Sequence, residues 1–318
     1  ALNMNYVLGD NFVSYFVSYV LNVKLIKHKS LENLDRNHGD DIIPISLIGV
    51  CRELFDDCST KEYERFYDDR GKCTSTRPKN FYKLYCLYTR GKTNVEDSYL
   101  MQLEKYQKYV SINGEGPEKS YELLFDKIKE IVNKTCIDET LLNIDIAGKF
   151  IFDDRELNFD RLISTINIID LVELDSSGKI RHSIIENNKL DGFHLPHNDK
   201  FVYICNLKSK EDKILSGIYK QVLATGRPYF RKTYVGDKVF YDCMRNIYDD
   251  KIEDNEVTGY VETTQISDNL DFNRIIGIDM VGKFAQWKEG VNLETIYNDC
   301  LRLKEFYGDS EKNHKKVF

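Results

Sequence analysis

Near its start the chain changes hydrophobic period twice. Met4-Asn5-Tyr6-Val7-Leu8 is a short apolar run of strand length, and Gly9-Asp10-Asn11 breaks it. Apolar side chains then recur at Val13, Phe16, Val17, Val20 and Leu21, the spacing of one helix face. Val23-Lys24-Leu25-Ile26 reads as a second strand. Strand, turn, helix and strand in that order predict the opening of a βαβ unit in an α/β fold.

Residues 36–115 are polar, aromatic and irregular, with Phe81–Leu87 as a strand-like piece. Pro117 suits the first turn of a helix whose apolar stripe is Tyr121, Leu124, Phe125, Ile128, Ile131 and Val132. Three short strands are expected near Leu141–Ile146, Lys149–Phe152 and Arg161–Ile166, with Gly148 turning the chain between the first two. Residues 176–265 read as strand-rich, with tyrosines interleaved. The last unit joins a strand Ile275–Met280, a glycine turn at Gly282 and a helix Asn292–Tyr307, capped by Asn292 and stopped by Gly308. Ile296, Cys300, Leu303 and Tyr307 form its buried face, and the charged tail Asp309–Lys316 is expected to fray. The 318 residues suffice for two domains or one elaborated domain; without an internal repeat or a low-complexity linker, two domains would interleave.

Composition narrows the function classes. A formal net charge of −7 argues against a general nucleic-acid or anionic-membrane binder, which needs a basic face. The longest uncharged run, Asn11–Val23, is shorter than a bilayer span, and no Lys or Arg precedes it as in a signal peptide. The 8 cysteines are scattered without a C-x-x-C pair, which excludes a zinc ribbon and reads as reduced thiols of a cytoplasmic protein. Abundant Tyr, Phe, Asn, Lys, Ile and Asp fit an AT-rich genome such as that of a phage or virus, with the host cytoplasm as compartment.

The opening turn is the first candidate for chemistry. A dinucleotide turn uses three glycines, for the tight bend, for approach of the pyrophosphate and for close helix packing. Only Gly9 stands in its place; Asn11 and Ser14 occupy the other two. Asn tolerates positive φ and Ser is small, so the bend can survive, and the helix start still offers N–H groups to a phosphate. The acidic residue expected at the end of the second strand is replaced by Lys27-His28. A lysine cannot accept ribose hydrogen bonds and would face a phosphate instead.

Two basic-aromatic clusters are candidate anion clamps. In Tyr88-Thr89-Arg90-Gly91-Lys92, arginine supplies a planar fork and lysine a point charge. In Gly226-Arg227-Pro228-Tyr229-Phe230-Arg231-Lys232, an inward Phe230 on a strand would put Arg227, Tyr229 and Arg231 on the opposite face. The competing reading is a solvated turn for the first cluster and arginines paired with Asp or Glu for the second. His194-Leu195-Pro196-His197 lacks a metal-ligand pattern, the paired aspartates lack metal-loop spacing, and no metal is expected.

Several segments resemble flavoproteins of the amine-oxidase and UDP-galactopyranose mutase group. Asn158-Phe159-Asp160-Arg161-Leu162-Ile163-Ser164-Thr165-Ile166 resembles the family strand "YD-x-x-I-x-T-x-P", with Asn167 in place of the proline. Val281-Gly282-Lys283-Phe284-Ala285-Gln286-Trp287, followed by Asn292-Leu293-Glu294-Thr295-Ile296, resembles the mutase segment "G-R-L-x-x-Y…D-M-x-x-x-I", with Lys283 for arginine. Tyr229-Phe230-Arg231 resembles the mutase "F-T-R" strand, whose arginine faces a nucleotide-sugar diphosphate. The mutase "G-P-H-x-F-H" stretch has no counterpart beyond His38-Gly39.

The resemblance implies a discontinuous Rossmann-like FAD-binding domain, with a central parallel sheet, formed by residues 1–35, 117–175 and 270–318. It implies an inserted α+β substrate domain formed by 36–116 and 176–269. It implies FAD held by Gly9, Asn11, Ser14, Lys27, Gly282, Lys283, Phe284 and Ala285, and a small anionic substrate held by Tyr88, Arg90, Lys92, Arg227, Tyr229 and Arg231. Reduced flavin N5 attacks the anomeric carbon in mutases, while oxidoreductases of this fold move hydride to N5. The implied function is a flavin-dependent enzyme acting on an anionic substrate, first among them a nucleotide-linked sugar. The alternatives are an amine-oxidase-like oxidoreductase acting on an amine or modified nucleoside, and a cofactor-free binding or scaffold protein that kept the fold.

Overall fold

Asn11 starts the first helix, and it does so with its own side chain. Its Oδ1 accepts from Ser14 N at 3.0 Å, and Ser14 Oγ accepts from Asn11 N at 2.9 Å. This reciprocal capping box fixes the start of the helix Phe12–Leu21. Asn22 ends the helix in the left-handed region, at φ 55°, a conformation Asn tolerates better than most residues.

The computed structural model describes residues 4–29, 42–90, 108–188, 190–207, 220–235, 237–247, 251–253 and 255–307. The chain forms two units: Ala1–Asn33, Leu124–Pro196 and Asp268–Phe318 make the first, and Leu34–Leu123 and His197–Ser267 the second. The segment up to Pro196 belongs to the first unit, so that unit runs past the boundary at 175 expected from sequence. Residues 179–188 form a helix there rather than strand, with Ile180 and Ile184 as its buried positions.

The first unit is built on a five-stranded sheet in the order Arg274–Ile275, Ile278–Met280, Arg161–Ser164, Asn5–Leu8, Lys24–Ile26. Asn5–Leu8 runs parallel to both Arg161–Ser164 and Lys24–Ile26, and Ile278–Met280 runs parallel to Arg161–Ser164. Val7, Leu8, Leu25, Ile26, Leu162 and Ile163 are fully buried, as expected of short apolar strands in a parallel sheet. The Phe12–Leu21 helix buries Phe16 and Val17. Phe12 meets Phe125 edge-on at 5.3 Å, and Phe16 meets Tyr297 of the Leu293–Tyr307 helix at 6.3 Å. The first and last helices of the chain are therefore neighbours in one core. The expected strand Ile275–Met280 is instead a tight hairpin: Ile276 at φ 45° and Gly277 at φ 82° turn the chain between Arg274–Ile275 and Ile278–Met280. A three-stranded sheet of Leu141–Asp145, Lys149–Phe152 and Glu156–Asn158 completes the unit's strands among the described residues, with Gly148 at φ 113° in its first turn.

The second unit holds an eight-stranded sheet among the described residues, dominated by antiparallel pairs. Among the described residues its one parallel pair joins Lys220–Thr225 to Glu64–Asp69. A separate pair joins Cys58–Glu62 to Lys108–Ile112. The strand-like Phe81–Leu87 is a helix, Phe81–Arg90. Phe81, Tyr82, Tyr85 and Cys86 share one helix face and pack on Tyr67, Leu223 and Phe230, so burial against the sheet selects the helical period over the alternating one. All eight cysteines are free, and Cys51, Cys86, Cys205, Cys243 and Cys300 are buried. Among the described residues no helix is long and apolar enough to cross a membrane.

Candidate functional site

The bend after the first strand keeps the one glycine whose geometry requires it. Gly9 sits at φ +153°, where L side chains are rare. A Cβ there would overlap Thr165 Oγ1 and lie 2.8 Å from Ser14 Cβ. Thr165 is fixed in turn: its N and its Oγ1 both donate to Leu8 O, at 3.1 and 2.9 Å. Asn11 needs no glycine, because its backbone is extended, at φ −129° and ψ 176°. The expectation that this helix start offers its N–H groups to a phosphate is corrected at Ser14, whose N–H is already taken by the Asn11 cap. The positive end of the helix still lies at the turn.

The carboxy-terminal glycine loop meets the same helix. Gly282 sits at φ +108°, and a Cβ on it would come 3.3 Å from Val13 Cγ1. Val281 N donates to Ser164 O, which anchors the loop to the end of the Arg161–Ser164 strand. Gln286 acts as a clasp: its Nε2 donates to Met280 O at 3.1 Å and to Asp299 Oδ2 at 3.0 Å. Burial raises the Asp299 carboxyl above its ordinary value. Phe284 and Ala285 are buried, and Lys283 pairs with Glu289 at 2.9 Å. Ser164 Oγ, buried at the carboxyl end of its strand, has no hydrogen-bond partner among the described residues. An orphaned polar group at that edge of a parallel sheet is one a ligand or a water would satisfy. Glycine bend, helix start and glycine loop lie at the carboxyl ends of these strands, where dinucleotides bind in such sheets, and the residues present fit such a group.

Lys27 does not stand alone as a phosphate ligand. Its Nζ lies 2.9 Å from Asp138 Oδ2, and this hydrogen bond raises the lysine's pKa. On the other side of the turn, Tyr15 OH donates to Asp10 Oδ1 at 2.9 Å.

In the second unit the basic-aromatic cluster is largely turned inward. Gly226–Phe230 is a loop, the strand begins at Arg231, and both Tyr229 and Phe230 are buried, so the expected two-faced strand does not form. Arg231 Nε donates to Asp242 Oδ2 at 2.7 Å, and Lys200 Nζ lies 2.9 Å from Oδ1 as a charge contact. Asp242 is fully buried; burial pushes its carboxyl up, but Arg231 and Lys200 outweigh that and hold it below its ordinary value. Arg227 Nε donates to Asp68 Oδ2 at 3.1 Å, yet its side chain is 37% exposed. Glu253 gathers Tyr229 OH at 2.5 Å, Lys232 Nζ at 2.6 Å and Tyr241 OH at 3.3 Å. Tyr88 and Arg90 fall on the Phe81–Arg90 helix rather than after a strand, while Lys92 and His38 lie outside the described residues. Among the described residues no three His, Cys, Asp or Glu side chains gather as a metal site.

No protein-family model and no curated protein matches the sequence. Solved structures do match the fold. A reduced UDP-galactopyranose mutase aligns at a TM-score of 0.63, with 10% identity, over 96% of this chain and 96% of its own. An oxidoreductase from Methanosarcina mazei gives 0.63 and 12% identity, over 95% and 99%. A flavin-dependent halogenase from Brevundimonas sp. BAL3 gives 0.54 and 10% identity, over 95% and 71%. By fold, the chain is an α/β protein of Rossmann-like architecture, similar over nearly its whole length to these solved structures.

Proposed function

We propose that the protein is an FAD-dependent enzyme acting on a small anionic substrate, with a nucleotide-linked sugar as the first candidate. The observation that carries this reading is the meeting of the Gly282 loop with Val13 beside the Gly9 bend, at the carboxyl ends of a parallel sheet. Gly9 gives the bend, Asn11 and Ser14 fix the helix start against a diphosphate, and Gly282, Lys283, Phe284 and Ala285 form the loop toward the flavin. Bound FAD would supply either a nucleophilic nitrogen or a hydride acceptor, chemistry no side chain offers. Of the two arginines in the Gly226–Lys232 cluster, Arg227 is the better substrate ligand, because Arg231, which resembles the mutase arginine, is committed to the buried Asp242. Tyr88, Arg90 and Lys92 remain proposed substrate contacts, while Tyr229 is buried with its hydroxyl on Glu253.

The Asn11 cap on Ser14 N favours a second reading, a cofactor-free binding protein that kept the fold. Between enzyme readings the test is kinetic. Under argon, with dithionite present, a mutase is expected to interconvert the ring forms of a UDP-sugar. Rapid bleaching of the flavin by an amine, with no such isomerisation, would replace the mutase reading by the amine-oxidase-like oxidoreductase. Neither activity on loaded protein would count against both.

A further inference from the structure

In dinucleotide sites of this architecture, a carboxylate at the end of the second strand receives the adenosine ribose hydroxyls. Here that strand ends in Lys27-His28. The sheet, however, does not stop at Lys24–Ile26. Ile137 forms a parallel bridge to Ile26, with Ile137 N donating to Leu25 O at 2.8 Å and Lys27 N donating to Ile137 O at 2.9 Å. One residue further on, Asp138 stands beside Lys27, level with the place the missing acid would occupy. The same strand end touches the glycine bend: Gly9 N donates to Ile26 O at 3.1 Å and His28 N to Gly9 O at 3.4 Å. Asp138 is therefore an acid delivered to the nucleotide end of the sheet by a segment remote in sequence.

We infer that Asp138 supplies the ribose-binding carboxylate of the nucleotide site, positioned by Lys27. Lys27 holds Oδ2 at 2.9 Å; Oδ1 accepts no hydrogen bond among the described residues, and the Asp138 side chain is 71% exposed. Lys27 itself is only 18% exposed, so a largely covered cation fixes one carboxylate oxygen while the other stays open to a donor. A ribose 2′- or 3′-hydroxyl is a neutral donor that suits a carboxylate oxygen already partly neutralised by a lysine. The pair thus selects an unphosphorylated ribose: a 2′-phosphate would meet the carboxylate charge.

This assignment rests on the FAD reading, and titration separates the two. FAD, ADP and 2′-deoxy-ADP are titrated against the wild type and Asp138→Ala, with thermal melting as the folding control. The wild type is expected to bind FAD and to prefer ADP over 2′-deoxy-ADP by roughly tenfold, the value of one good hydrogen bond. Asp138→Ala is expected to melt like the wild type, to bind FAD about tenfold more weakly and to treat the two nucleotides alike. A wild type that binds neither FAD nor ADP overturns the FAD reading, and this assignment with it. A wild type that binds FAD, with ADP preference unchanged in Asp138→Ala, overturns only the assignment. Loss of the preference in Lys27→Ala but not in Asp138→Ala would likewise overturn it, giving the role to the lysine.

Discussion

Asp242→Ala is expected to destabilise the protein by about 3–5 kcal/mol, the cost of removing one partner from a buried ion pair. The carboxylate is fully buried between Arg231 and Lys200, whose side chains are only 12% and 8% exposed. Without it, two largely buried cations lose the carboxylate they share. Phe230 N–H donates to Asp242 O and Arg231 pairs in register with Asp242, so the loss falls where the Gly226–Phe230 loop enters the sheet. Arg231→Ala is expected to act in the same direction, by leaving the buried carboxylate to Lys200. The pH dependence has a definite sign. A carboxyl held below its ordinary value of 3.8 contributes stability above that value and loses it as pH falls through the lower folded-state value. Wild type should therefore lose this increment below about pH 4, while Asp242→Ala has none to lose. Urea unfolding at neutral and acid pH measures both effects. A variant within 1 kcal/mol of wild type, roughly the scale of an exposed pair, would mean that Asp242 is not buried as described.

Gly9→Ala is expected to cost about 2–4 kcal/mol and to abolish tight dinucleotide binding. Two causes act together: a positive φ that an L side chain resists, and overlap with Thr165 Oγ1 and Ser14 Cβ. Moving Ser14 breaks the capping box, and moving Thr165 breaks its two bonds to Leu8 O. Asn11→Ala, which removes only the cap, is expected to cost about 1 kcal/mol. Thermal melts of the two variants give the ranking; equal stability of Gly9→Ala and wild type would contradict the close packing at the bend.

The opening βαβ unit was legible because its two periods and its glycine stand next to each other in the chain. The final helix was legible for the same reason, from its stripe at Ile296, Cys300 and Leu303. Phe81–Arg90 was not, since a run of aromatic residues satisfies both periods and only contact with Tyr67, Leu223 and Phe230 decides between them. The break inside Ile275–Met280 carried a local signal, Gly277, that the apolar run masked. At the candidate site, Gly9 and Gly282 were visible as residues, but the packing of Gly282 on Val13 and of Gly9 on Thr165 and Ser14 was not. Asp138 could not be found from sequence, because its place depends on the parallel bridge between Ile26 and Ile137. The inward commitment of Arg231 depends likewise on strand register, which sets Asp242 opposite it.

The FAD content of the purified protein decides whether the Gly9 bend and the Gly282 loop hold a dinucleotide. Stoichiometric FAD is expected, released on denaturation and restored to stripped protein with return of the flavin absorption bands. A colourless, folded protein that takes up no FAD would contradict it and leave the cofactor-free reading in its place.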